Sequence, residues 1–366
     1  VKIKKVVALG AALGVALAGV ALAAPAHAEP VSNSYVLVGS DTLQDVANAL
    51  TNGTSISGTT VRVSAGGQSI GSFDAFGSSV IQTKSNGTYF TRPAGSGAGV
   101  TALRASITGN PFQPNPNLPA RTITNQVDIA RSSSGPGSNA NSSGLLSYVP
   151  FARDAVAYAY NGSNADLANL TTAQLKQIYE SATPVTIGST VVKPRIPQSG
   201  SGTRTFFLGA IGVTTLGASV GDSSANVTPE NDASVLGANE IIPFSAANWI
   251  AQSNGATGLN TIGTSTVKLG SVNGIAPYTG TGTNLSANPA FYSSSFGRDT
   301  YLVVEFARVN PSDAKYDVNL ANLVNPTRSV SLANNGTFPS TAGSVKLKFG
   351  FLAPSNLNPI RAYAAL

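Results

Sequence analysis

Short apolar runs alternate with stretches of helical periodicity along this chain, and a hydroxyl-rich turn usually separates the two. Residues 35–38 read as a buried strand. After Gly39, Ser40 and Asp41 the spacing changes, placing Leu43, Val46, Ala47 and Leu50 on one helical face. Asp41 and Gln44 have capping-box spacing. Residues 88–91 predict a second strand, Gly95-Ser96-Gly97-Ala98-Gly99 a turn and residues 100–106 a short helix. A third loop, residues 128–136, sets hydroxyls after the apolar pair Ile129-Ala130. Residues 149–160 predict a buried strand, and Thr171 with Gln174 a capped helix carrying Leu175, Ile178 and Tyr179 on one stripe. Residues 191–196 predict the strand that leads into Gln198-Ser199-Gly200-Ser201-Gly202-Thr203-Arg204, with a helix from near Thr203. Residues 301–306 and 346–351 close the series as strands. The recurrence predicts a mostly parallel α/β sheet with ligand loops beyond the strands' carboxyl ends.

The run from 198 to 204 has the chemistry of an anion cradle. Its glycines free backbone N–H groups to turn inward, its serines and threonine offer hydroxyls, and the following helix aims its positive end at the same point. A site of this kind binds a small oxyanion without a catalytic group. The plainer alternative is a turn before a helix, which Gly and Ser favour generally.

Residues 1–28 read as a secretory leader: Lys2, Lys4 and Lys5, an apolar stretch over 6–24, then Ala26-His27-Ala28 as the cleavage site. Cleavage leaves 338 of the 366 residues and lowers the formal charge from +6 to +3, since three lysines go with the leader. A charge so small, with no basic run interleaved with aromatics, gives no case for nucleic acid. His27, the only histidine, also leaves, and there is no cysteine. Ser-His-Asp and Cys-His catalysis, zinc held by thiolate or imidazole, and disulfides are therefore excluded from the cleaved chain. Without a cysteine there is no lipid-anchor site, and no run beyond the leader is long enough to span a bilayer. The expected product is a secreted or periplasmic monomer with no cofactor, no metal and no stable membrane insertion. Its length suits two lobes, with 29–150 and 246–366 in the first and 151–245 in the second.

Four segments together resemble the phosphate-binding receptors of bacterial ABC importers, which have the two-lobe type II periplasmic-binding-protein fold with a ligand cleft between lobes. They are Gly39-Ser40-Asp41-Thr42, Gly95 to Val100, Val127 to Pro136 and Ser199 to Thr203; Pro150-Phe151-Ala152-Arg153-Asp154-Ala155-Val156 follows the family where the chain crosses between lobes. The resemblance covers roughly residues 35 to 250. It implies ligand contacts from Ser40, Asp41 or Thr42, from Ser96, and from Ser201, Gly202 and Thr203. Three positions depart from the pattern. Ser133 stands where the family has the aspartate that accepts the proton of hydrogen phosphate, Pro197 where it has an arginine, and Ser199 where it has that arginine's aspartate. Arg131, Arg195 and Arg204 are the substitutes within reach, with Arg131, Ser133 and Arg204 joining the candidate site. The resemblance implies a receptor for phosphate or a similar oxyanion, delivering to an ABC permease. The alternative is a secreted non-transport protein, a phosphate scavenger or adhesion protein, that keeps the fold. A hydrolase using Ser201 as nucleophile lacks both the G-x-S-x-G spacing and a histidine base.

Overall fold

The computed structural model describes residues 35–56, 58–162, 165–222, 232–258, 260–262 and 266–366. The leader read at residues 1–28 lies outside them.

Strand β1 (Tyr35–Gly39) is buried along its whole length and leads into helix α1 (Gln44–Asn52). β2 (Ile70–Ser72), α2 (Ser96–Thr108) and β3 (Ile129–Ser132) follow. The chain then runs through the sixteen-residue strand β4 (Leu146–Asn161), α3 (Thr172–Glu180), β5 (Lys193–Ile196), α4 (Gly202–Ile211), β6 (Gly221–Asp222), β7 (Glu240–Ser245) and α5 (Ala246–Ser253). It closes with β8 (Val267–Leu269), β9 (Gly297–Glu305), α6 (Val318–Leu323), α7 (Ala342–Lys348) and β10 (Ile360–Ala362).

One mixed sheet has the order β6-β5-β7-β4-β9-β3-β1-β2, with β8 and β10 also pairing with β4. Two parallel groups, β2-β1-β3 and β6-β5-β7, flank the antiparallel pair β4 and β9. The mostly parallel sheet expected from sequence is thus parallel only at its two wings. β4 and β9 join the wings through partners far apart in sequence, a pairing on which local pattern carries no information. β4 and β9 pair in register from Leu146–Glu305 to Pro150–Tyr301, and the register then shifts so that Ala152 faces Thr300, leaving Phe151 as the extra residue. Such a bulge bends a strand and re-aims the side chains beyond it.

Three apolar clusters surround this sheet. One gathers the second half of β4 with Leu175, Ile178, Tyr179, Phe207, Phe244 and Ile250, and the other two cover the wing built on β1 and β3. Separate cores on either side of a shared pair of strands make the two-lobe α/β architecture.

Two local readings are corrected. Residues 346–351 do not form a strand: α7 ends at Lys348, capped at its start by Thr341, whose Oγ1 accepts the Ser344 N–H at 3.3 Å. The helix is chosen because it buries Ala342, Val345 and Lys346 together, with the Lys346 ammonium donating to the carbonyls of Phe151 (2.6 Å) and Asn334 (2.7 Å). Burial holds the Lys346 pKa well below the ordinary lysine value. The Asp41–Gln44 capping box is also absent: α1 has no side-chain cap, and Gln44 Oε1 instead accepts the Ala75 N–H at 3.0 Å. By contrast the Thr171–Gln174 box is present in both directions.

Candidate functional site

The loops after β1, β3 and β5 and the loop that opens α2 come together. At Gly39 (φ +111°) β1 lies so close to its neighbours that an added Cβ would sit 2.6 Å from the Arg131 carbonyl oxygen and 3.2 Å from Gly99 Cα. Only glycine allows that approach. It brings Ser40, Asp41 and Thr42, all fully buried, against β3, where the Ser40 N–H donates to the Arg131 carbonyl at 3.0 Å. Asp41 Oδ1 accepts the Thr42 N–H at 3.0 Å.

Across the site, Ser201 caps α4 by accepting the Arg204 N–H at 2.9 Å, which leaves Gly202 and Thr203 as the helix's first turn. Gly202 lies directly against Ser96 and Ser133: a Cβ there would fall 2.6 Å from Ser96 Oγ and closer still to Ser133 Oγ. Ser96, on the first turn of α2, has its Oγ 3.0 Å from Ser133 Oγ and accepts the Ser133 N–H at 3.0 Å. Thr203 Oγ1 lies 3.5 Å from Thr42 Oγ1. The structure therefore gathers the hydroxyls of Thr42, Ser96, Ser133 and Thr203 where the first turns of α2 and α4 meet, with Gly202 in contact. Ser40, Asp41 and Ser201 adjoin them in sequence.

The arginines are arranged differently from the sequence expectation. Arg131 is fully buried, but its Nε donates to the Ser40 carbonyl (3.1 Å), Nη1 to Ser72 Oγ (2.7 Å) and Nη2 to the carbonyls of Phe73 (2.5 Å) and Gly39 (3.5 Å). Burial pulls its pKa down to about 10, with Asp74 and Asp41 opposing that pull. Arg131 braces the loop rather than facing its hydroxyls. Arg204 turns back, Nη1 donating to the Pro197 carbonyl at 2.9 Å, and Arg195 pairs with Glu240 at 2.9 Å.

The guanidinium at the hydroxyl cluster belongs to Arg298, a residue the sequence reading passed over. From β9 it donates through Nη2 to Thr203 Oγ1 at 2.7 Å and to Thr42 Oγ1 at 3.2 Å. Its cross-strand partner is Asp154 on β4, whose Oδ2 accepts from Nη2 at 2.9 Å and from Nε at 3.2 Å. Asp154 Oδ1 accepts the Ser245 hydroxyl (2.9 Å) and the Ala247 N–H (3.1 Å) at the start of α5. The available sequence signal was Gly297-Arg298-Asp299 just before the apolar run at 301, charge entering a strand that burial would otherwise reserve for apolar side chains.

Several polar atoms around these loops are buried without a hydrogen-bond partner among the described residues: Ser40 Oγ, both amide atoms of Gln198 and Arg298 Nη1. Native interiors leave few such atoms, and each marks strain or a role outside the folded chain. Among the described residues no group of three or more His, Cys, Asp or Glu side chains could hold a metal ion, and no helix is long and apolar enough to cross a membrane.

A sheet with two parallel wings, joined by antiparallel strands and carrying hydroxyl-lined helix starts in between, defines a two-lobe binding-protein fold. The family model described as a PBP superfamily domain matches residues 24–314, and the chain belongs to that superfamily. Among solved structures it is similar to an ABC-type phosphate transport receptor from Vibrio cholerae (15% identity, TM-score 0.50, covering 88% of this chain and 100% of the other). It is also similar to an ABC transporter substrate-binding protein with bound phosphate from Clostridium perfringens (16% identity, TM-score 0.51, covering 88% and 99%). At these identities the likeness is one of fold. A comparison with curated proteins returns no match.

Proposed function

We propose that the chain is a secreted, monomeric receptor that captures an inorganic oxyanion, phosphate first among them, and delivers it to an ABC importer. One observation carries the reading: the hydroxyls of Thr42, Ser96, Ser133 and Thr203, from four separate loops, meet at the first turns of α2 and α4. Fixed hydroxyl and N–H dipoles at two helix starts form an environment that favours negative charge. The solved structures of like fold, one a phosphate transport receptor and one holding phosphate, support the choice of ligand. Binding without turnover is the natural role for a site with no histidine or thiol.

The sole tryptophan provides the test. Trp249 lies on α5, whose start is tied to Asp154, so its emission should respond when phosphate is titrated into the stripped protein. A saturable response is expected, and a flat isotherm, by fluorescence and by calorimetry, sinks the receptor reading. With Ser133 in place of a proton-accepting carboxylate, sulfate should compete with phosphate within about tenfold. A much stronger phosphate preference would contradict that part. A second reading, a secreted phosphate scavenger or adhesion protein outside transport, would use the same hydroxyl cluster. It predicts phosphate binding with no stimulation of a cognate importer's ATPase.

A further inference from the structure

We infer that Arg298 supplies the charged contact to the anion through Nη1, while Asp154 and the two threonine hydroxyls occupy its Nε and Nη2. The inference rests on the oxyanion reading above and deepens it by fixing where the positive charge comes from.

A guanidinium carries five N–H donors in a rigid plane. In Arg298 the lateral edge, Nε and Nη2, is taken by Asp154 Oδ2, and Nη2 also reaches Thr203 and Thr42. Among the described residues Nη1 has no partner, although the side chain is only 2% exposed. Arg131 provides the internal control, because it is equally buried and its Nε, Nη1 and Nη2 all have acceptors. Leaving a charged donor unfilled in the interior is costly, and Arg131 shows the alternative, its Nη1 turned to the Ser72 hydroxyl.

Asp154 cannot swing away to release the guanidinium. Its Oδ1 is held by Ser245 and by the Ala247 N–H, and its Oδ2 by Arg298. The plane of the guanidinium is therefore set before any ligand arrives, beside the two threonine hydroxyls. The N–H groups of Nη1 lie on the same rigid plane, so an anion that meets them gains charge-assisted hydrogen bonds from a donor already in place.

Calorimetric titration of the phosphate-stripped chain with inorganic phosphate tests the assignment. Arg298→Lys keeps a charge but loses the planar guanidinium and with it Nη1. Arg298→Gln combined with Asp154→Asn removes both charges, so no lone buried carboxylate remains to unfold the protein. Both are expected to bind phosphate at least about 30-fold more weakly than wild type, since hydrogen bonds to charged groups are the strong ones. Lys315→Ala, at the far end of the sheet, should be unchanged. Binding within about threefold of wild type by either folded Arg298 variant overturns the inference and leaves the receptor reading intact. No binding by wild type overturns both. Should the variants fail to fold, arginine side-chain 15N spectra of the wild-type chain decide. A buried Nη resonance that moves on phosphate saturation supports the assignment, and guanidinium signals that all stay in place overturn it.

Discussion

The wing built on β1 and β3 buries charge at both of its ends, and the two ends are organised oppositely. At the end remote from the cleft, Asp128 accepts Arg308 Nη1 at 2.6 Å, Lys84 at 3.0 Å and the Val36 N–H at 3.0 Å. Arg308 Nη2 reaches Asp317 at 2.8 Å, and Asp317 in turn accepts the Tyr35 hydroxyl at 2.8 Å and caps α6. A cavity of about 510 Å³ opens there, yet it borders a network in which cations, carboxylates and phenol are matched to one another. The cleft end has no such closure: among the described residues Arg298 Nη1 and Ser40 Oγ find no acceptor or donor. A hollow beside dense charge is therefore not by itself a sign of a binding site. What separates this clamp from the proposed site is whether the hydrogen-bond accounting closes.

That contrast can be broken or sharpened in order of effect. Arg131→Leu should be the most damaging change. It strips donors from three buried carbonyls and a serine, and should cost about 3–5 kcal/mol in denaturant unfolding, because unfilled buried acceptors cost about 1–3 kcal/mol each and share some relaxation. A loss below about 1 kcal/mol would show that the brace is dispensable. Asp128→Ala, at the clamp end, should cost about 2–4 kcal/mol and leave phosphate affinity within twofold. An affinity loss there would erase the distinction between the two ends. Gly202→Ala should act on binding instead, weakening phosphate affinity at least about tenfold through the methyl pressed on Ser96 and Ser133, with a stability cost of about 1–3 kcal/mol.

Acid should weaken the clamp by a route that can be traced. Burial by itself raises the Asp317 pKa, but the Leu320 N–H, Arg308 and Tyr35 outweigh it, so the carboxyl titrates below its ordinary value. A carboxyl depressed in the folded state adds stability above its unfolded pKa of about 3.9 and loses it as pH falls through the folded value. Wild-type stability should therefore fall on acidification below about pH 4, and Asp317→Asn should show a shallower fall. Smallest of all, Lys315→Ala removes an exposed pair with Glu305 and should shift stability by under about 0.5 kcal/mol.

What the sequence revealed was mostly what short-range chemistry decides. The α3 cap is legible because Thr171 and Gln174 satisfy each other locally, and the start of α4 is legible because Ser201 caps a turn three residues on. The four hydroxyl loops could be found for the same reason: each is a strand end followed by glycine, serine and a helix. The centre of the sheet was hidden, since β4 meets β9 across some 140 residues, and the partner of Asp154 stands 144 positions away. The arginine beside the hydroxyls was hidden for that reason too. Arg131 and Arg204 are near the loops in sequence, but Arg131 turns to Ser72 and to the Ser40 and Phe73 carbonyls and Arg204 to the Pro197 carbonyl, while Arg298 arrives from a strand that local pattern began four residues too late.

The bulge at Phe151 has a consequence for how this site tolerates changes of chain length. Had β4 and β9 continued in the register of their first five pairs, Arg153 would stand opposite Arg298, cation against cation. A single surplus residue, its carbonyl gripped by the buried Lys346 ammonium, advances the ladder by one and delivers Asp154 instead. The sign of the charge beside the anion loops is thus written as a count of residues in β4, and an insertion or deletion there would change the electrostatics of the cleft without altering any of the side chains that line it.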